Sequence, residues 1–177
     1  MAGIAGIAGR DDRELVHTML ERLAHRGPAG REIVEGAGGT LGVVWTEAQA
    51  DARPVDPSDT TVQDIAADGH LAQATLDDGR VMLTRDPVGI APLYYGHAED
   101  GTLCFSSEVK ALLGVVETVR ELEPGHRYDG ENLEPYFQID ERPALRGDSA
   151  EIAAELNRRV DAGVAACIPA DGMVGSW

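Results

Sequence analysis

Apolar positions along the chain recur with two different spacings, and the alternation between them outlines the elements. Ile4 and Ile7 stand among glycines and alanines, so residues 2–9 predict a short buried strand with close neighbours on both sides. Asp11 is placed to cap a helix, with Glu14 three residues on. Leu15, Met19, Leu20 and Leu23 then follow at helical spacing, and Gly27-Pro28 ends the run. Residues 31–36 and 40–47 read as two strands separated by a glycine turn. Residues 48–69 are polar and carry prolines, which predicts a connector. Residues 70–76 and 80–86 flank Asp77-Asp78-Gly79, a hairpin signal, and residues 92–96 and 102–108 form two more strands around Asp100-Gly101.

Residues 106–114 predict a short helix with a serine cap and a closing glycine. Residues 116–122 and 126–130 flank Glu123-Pro124-Gly125 as a further hairpin, and residues 135–146 look irregular. Residues 149–166 predict a long helix, apolar at Ile152, Leu156, Val160 and Val164. Many strands with few helices imply a layered α+β architecture.

Composition narrows the partners. The chain of 177 residues suits one ordinary domain with a short appendage. Thirty-one acidic residues against 15 basic ones give a net charge of −16, which repels nucleic-acid phosphates and anionic membrane surfaces. Lys110 is the single lysine. Such acidity fits either a solubilising surface from a GC-rich genome or a halophilic host, where salt screens the repulsion. No run of 18 apolar residues exists, and the first residues lack the basic start of a signal peptide, so a cytoplasmic setting is expected. Cys104 and Cys167 are too few and too distant for a disulfide framework or a metal set. His70, His97 and His126 sit apart, without carboxylates at ligand spacing, and read as surface histidines; no metal is expected. No phosphate-cradling loop is present.

Three segments carry a resemblance: GIAGI at 3–7, HRGP at 25–28, and RDPVGIAPLYYG at 85–96 followed by FSSEVKAL at 105–112. Together, and in order, they resemble the N-terminal half of asparagine synthetases, whose first domain is a class II (N-terminal nucleophile) glutamine amidotransferase. Residues 149–177 also resemble the start of that family's ATP-using synthetase domain, stopping short of its pyrophosphate-binding loop. The resemblance implies an αββα sandwich of two antiparallel sheets flanked by helices, here shortened. Residues 1–147 would form the amidotransferase-like domain, and residues 148–177 a linker helix and the start of a synthetase-like domain.

In that family removal of Met1 exposes a cysteine at position 2, whose thiol attacks the glutamine amide while its own α-amine acts as base. This chain has Ala2 there, and no Ser, Thr or Cys among the residues before Thr18 could substitute. The family's Arg-Leu-Ser and Asn-Gly-Glu-Ile-Tyr-Asn motifs, implied to supply the carboxylate clamp and the oxyanion hole, are also missing between Gly30 and Arg85. Two readings stay open: a laboratory substitution in a complete site, or natural loss, which the joint absence favours.

The family-matched residues are Gly3, His25, Arg26, Gly27, Arg85, Asp86, Gly89, Tyr94, Ser107, Glu108 and Lys110. Each has a structural reading. His25 and Arg26 close the first helix; Arg85 and Asp86 form a buried ion network; Tyr94 and Tyr95 pack; Ser107, Glu108 and Lys110 start a helix. Ala91 stands where the family usually has a basic residue. Cys104, between Leu103 and Phe105, reads as a buried small hydrophobe. The expectation is an asparagine-synthetase-like protein whose amidotransferase domain carries no intact catalytic residue and acts structurally. Its implied partner is a synthetase domain, in cis or in trans, with a homodimer a further option. ATP and Mg belong to that absent domain. A free-standing scaffold or ligand-binding protein is the alternative from another class.

Overall fold

The computed structural model describes residues 2–36, 38–52, 55–56, 60–65, 71–141, 144 and 146–168. They form two compact units, Met1–Gln138 and Ile139–Trp177. The first holds strands β1 (Gly3–Ala8), β2 (Gly30–Gly36), β3 (Gly39–Trp45), β4 (Val55–Asp56), β5 (Thr61–Ile65), β6 (Leu71–Asp77), β7 (Arg80–Arg85), β8 (Tyr94–His97), β9 (Leu103–Ser106), β10 (Arg120–Glu121), β11 (His126–Tyr128) and β12 (Leu133–Pro135), with helices α1 (Arg13–Arg22) and α2 (Val109–Leu112). Two antiparallel six-stranded sheets result, β10-β8-β9-β1-β3-β2 and β12-β11-β7-β6-β5-β4.

The first sheet is built around β1, which pairs β3 on one side and β9 on the other. Every residue of β1 is buried, because one face meets the second sheet and the other meets the helices. Ala2 and Ile4 join Leu41, Val43, Phe105, Val62, Ala74 and Leu83 in the core between the sheets. Ala5 and Ile7 face the other way and pack with Val16, Met19, Leu20 and Leu23 of the first helical segment and Leu112 of α2. Burying each such Leu or Ile contributes about 2 kcal/mol. The small residues of β1 follow from this crowding: a Cβ on Gly6 would lie 2.5 Å from the Phe105 ring and 2.9 Å from the Thr40 carbonyl oxygen.

The second sheet alternates. In β6, Ala72, Ala74 and Leu76 point inward while Gln73 and Thr75 point outward, the signature of a sheet covered on one face. Its β6–β7 hairpin turns through Asp78 (φ 45°) and Gly79 (φ 76°), two consecutive left-handed residues as a tight two-residue turn requires. Both α1 and α2 pack on the first sheet.

Four local expectations are corrected. The cap of α1 is Asp12, whose side chain accepts from Leu15 N, not Asp11. Residues 48–69 are more than a connector: they contain β4 and β5, paired to each other and to β6. The polar composition hid β5 because a five-residue strand with one buried face needs few apolar residues. Residues 116–130 do not form a hairpin. β10 pairs β8 in the first sheet and β11 pairs β7 in the second, so Glu123-Pro124-Gly125 carries the chain from one sheet to the other. Finally, α2 is four residues long, and Ser106 accepts from Glu108 N ahead of it without capping it.

The second unit contains helix α3 (Ser149–Cys167), opened by Asp148, whose carboxylate accepts from Ala150 N. Glu155 on its surface accepts from Arg158 and Arg159, pairs at helical spacing. No helix among the described residues is long and apolar enough to cross a membrane.

Candidate functional site

Three segments distant in sequence converge where β1 begins. The first helical run closes in a 3-10 turn, Ala24–Arg26, which brings the Arg26 side chain against the start of the strand. Arg26 Nε donates to the Ala2 carbonyl at 2.7 Å, one terminal nitrogen reaches Asp64 Oδ2 at 2.7 Å, and the other reaches Glu108 Oε1 at 3.2 Å. The guanidinium is 9% exposed, so each of its partners is held in a low-dielectric setting. Gly27 is required beside it, because a Cβ there would lie 2.2 Å from Trp45 N.

Asp64 comes from β5, where Val62 and Asp64 are both buried at alternate positions. It is 0% exposed. Its Oδ2 takes Arg26 and the Ser107 hydroxyl, 3.4 Å away, whereas its Oδ1 has no hydrogen-bond partner. Burial pushes this carboxyl above the usual range, opposed by Arg26 and more weakly by the charge of the amino terminus and by Ser107. Ser107 itself accepts from Ile4 N at 2.9 Å, so Asp64 is tied to the backbone of residues 2–4 through two separate side chains.

Glu108 gathers the outer part of the cluster. His25 Nε2 lies 3.0 Å from its Oε1 and Lys110 Nζ 3.1 Å from its Oε2. Burial works to raise this carboxyl, but Lys110, Arg26 and His25 together hold it below its ordinary range. At position 2 itself stands a methyl group with 0% exposure. The cluster therefore presents cations, carboxylates and a hydroxyl that accepts from Ile4 N.

The segment 85–91 builds a second buried polar unit. Arg85 and Asp86 are both buried at the end of β7, each with its own set of partners. Arg85 donates to the carbonyls of Ala91, Leu122 and Gly89 and to Glu121, while the Asp86 carboxylate accepts from the backbone amides of Val88, Gly89, Ile90 and Ala91. Burial works to raise Asp86, but these four amides overcome it and lower its pKa. Gly89 turns the loop at φ 74°, where a Cβ would meet Pro124 at 2.7 Å. Tyr95 stacks on Tyr128 with centroids 4.3 Å apart, and Tyr94 packs against the helical side.

With position 2, the structure brings His25, Arg26, Ser107, Glu108 and Lys110 together, and places Arg85, Asp86, Gly89 and Tyr94 outside that cluster. Gly3 lies under Arg26, 3.1 Å from its Cδ when given a Cβ. Asp64 was missed in the sequence, although Val62 and Asp64 two residues apart signal one strand face. Cys104 is buried and its thiol is pushed up to about 11, which keeps it protonated and unreactive. His97 ends β8, and His126 Nδ1 lies 2.8 Å from the Pro124 carbonyl. Among the described residues no cluster of three His, Cys, Asp or Glu could hold a metal. His70 and the chain end at 169–177 lie outside the described residues, as does the Cys167 side chain.

Residues 59–147 match the glutamine amidotransferase domain family. The chain belongs to that family. Among curated relatives, a probable glutamine-hydrolysing asparagine synthetase of Schizosaccharomyces pombe is 44% identical over 66 residues, 35% of this chain and 12% of that protein. Asparagine synthetase B of Escherichia coli K12 is 40% identical over 77 residues, 41% of this chain and 14% of that protein. The matched stretch is thus a small part of each relative. Glutamine phosphoribosylpyrophosphate amidotransferase of Bacillus subtilis superposes with a TM-score of 0.62 at 17% identity, covering 77% of this chain and 50% of that one. Two antiparallel sheets with few helices, and these neighbours, make the fold an α+β N-terminal-nucleophile amidotransferase sandwich.

Proposed function

We propose that this amidotransferase domain does not hydrolyse glutamine and serves as a structural module of an asparagine-synthetase-like protein. One observation carries the reading: position 2 is a buried methyl group whose carbonyl is bridged by Arg26 to the buried carboxyl of Asp64. Attack on a carboxamide needs a nucleophile there and hydrogen-bond donors for the oxygen that becomes negative. The residues around position 2 supply neither, and Arg26, the nearest strong donor, is committed to Ala2 O, Asp64 and Glu108.

The docking partner in this reading is a synthetase domain, in cis or in trans, that activates a carboxylate with ATP and Mg and receives free ammonia or another amine. The domain contributes packing surface to it and no chemistry. The test is Ala2→Cys in the full chain, assayed for glutamate release from glutamine. No release above the parent protein is expected, and release is expected to stay absent because Asp64 opposes the oxyanion. Turnover in the single variant would overturn the reading and identify a complete glutaminase site interrupted only at position 2.

A further inference from the structure

At the end of the sandwich opposite the Arg26 cluster lies a cavity of about 190 Å³. β1 links the two places: the Ala2 carbonyl bonds Arg26, and Ala8 and Gly9 line the cavity about 20 Å farther along the strand. The cavity floor is the edge of the core between the sheets, formed by Ala8 and Leu103 of the first sheet and Val81 of the second. Its walls are turns, with Gly79 between β6 and β7, Gly101 between β8 and β9, and Gly130 between β11 and β12. A Cβ on Gly9 or Gly101 would meet nothing within 4 Å, so the backbone there faces open space. Sites for drug-sized ligands begin at about 300 Å³, so this one suits a smaller molecule.

The polar lining is of both signs: Arg80 and His97 stand with Asp129 and Glu131. Arg80 forms no ion pair among the described residues, although the chain has 31 acidic residues to 15 basic ones. Asp129 is a fixed anion. Its carboxylate accepts from Asn132 N, Glu131 N and Asn132 Nδ2, and these bonds hold it down to about 2. A simple anion would meet two carboxylates in this cavity, and a simple amine would meet the arginine. A molecule that carries both charges matches both sets. We propose that the cavity binds a small zwitterion, an α-amino acid with a short aliphatic side chain. Arg80 takes the carboxylate in a two-bonded fork, with His97 as a further donor, while Asp129 and Glu131 receive the ammonium. The side chain rests on Ala8, Val81 and Leu103. This site stands apart from position 2 and holds whether or not the domain hydrolyses glutamine.

The experiment is titration of the full-length ¹⁵N-labelled protein with L-alanine, followed by NMR at the backbone amides. Saturable shifts are expected at Gly9, Gly79, Gly101 and Gly130, with Gly3 and Gly6 unmoved. Propionate and ethylamine each keep one of the two charges, and each is expected to bind about tenfold more weakly than L-alanine. Inorganic phosphate is expected to bind no better than propionate. Arg80→Ala replaces an exposed side chain and is expected to weaken L-alanine about tenfold while leaving the urea midpoint unchanged. Absence of saturable shifts at the four cavity glycines overturns the proposal. So does propionate, ethylamine or phosphate binding as tightly as L-alanine, and these wild-type measurements decide even if Arg80→Ala fails to fold. Unchanged L-alanine affinity in folded Arg80→Ala overturns it as well.

Discussion

The described residues hold two buried polar clusters, one around Asp86 and one around Asp64, and they are finished differently. Around Asp86 the loop closes on its own carboxylate, which collects the four amides that follow it, while Arg85 beside it collects the nearby carbonyls of Gly89 and Ala91 and reaches Glu121 and the Leu122 carbonyl farther along the chain. Around Asp64 the contacts are long-range, reaching residues 26 and 107, and one oxygen is left over. The first cluster is organised by a turn in which one carboxylate satisfies the amides of its own loop. The second joins three distant segments at the start of β1 and leaves one buried oxygen of Asp64 without a partner.

The comparison can be broken most severely at Arg26. Arg26→Ala strands the fully buried Asp64 and takes one of its three basic partners from Glu108, and should cost about 4 kcal/mol in urea unfolding. Asp86→Ala should cost less, about 3 kcal/mol, because it leaves four neutral amides in a loop that can partly rehydrate. If Asp86→Ala proved the worse of the two, the loop rather than the β1 terminus would be the keystone of the fold.

Acid sharpens the contrast. The folded pKa of Asp86 is lowered, so its contribution is fully present above the unfolded value near about 4 and disappears as pH falls through the folded one. Asp64 is raised, so its ionisation opposes folding and its contribution declines as pH rises through its folded pKa. Urea midpoints of Asp86→Ala and wild type should therefore converge below about pH 3, while those of Asp64→Asn and wild type should converge in acid and separate toward neutrality. Parallel curves for either variant would remove the assigned role. Arg85→Lys, which exchanges a planar fork for a point charge, should cost about 2 kcal/mol by the same measurement. The smallest effect is expected outside both clusters: Asp12→Ala removes the α1 cap for about 1 kcal/mol and should leave both pH profiles unchanged.

Much of the fold was legible because local rules agree with it. The all-buried β1, the apolar face of α1, the Asp78-Gly79 hairpin and α3 each announce themselves through periodicity or turn chemistry. The errors share one cause. Residues 116–130 look like a hairpin because each half has strand character, yet the halves belong to different sheets. β5 looks like a connector because only Val62 and Ile65 of its five residues are aliphatic and its buried face carries Asp64 beside Val62. Of the site, HRGP and SSEVK were readable as motifs, while Asp64 was not, since its significance lies in partners 38 and 43 residues away.

What the sequence by itself determined is therefore the identity of the strand that opens the chain, the motifs that place it in its family, and the methyl group at position 2. These are matters of residue type and short-range spacing, which need no partner to be read. What only the tertiary structure decided is that Arg26, Asp64, Ser107 and Glu108 gather at the backbone where β1 begins and leave one oxygen unmatched. A hydrogen-bond inventory exists only once segments distant along the chain share one buried volume, because water satisfies every polar group until packing removes it.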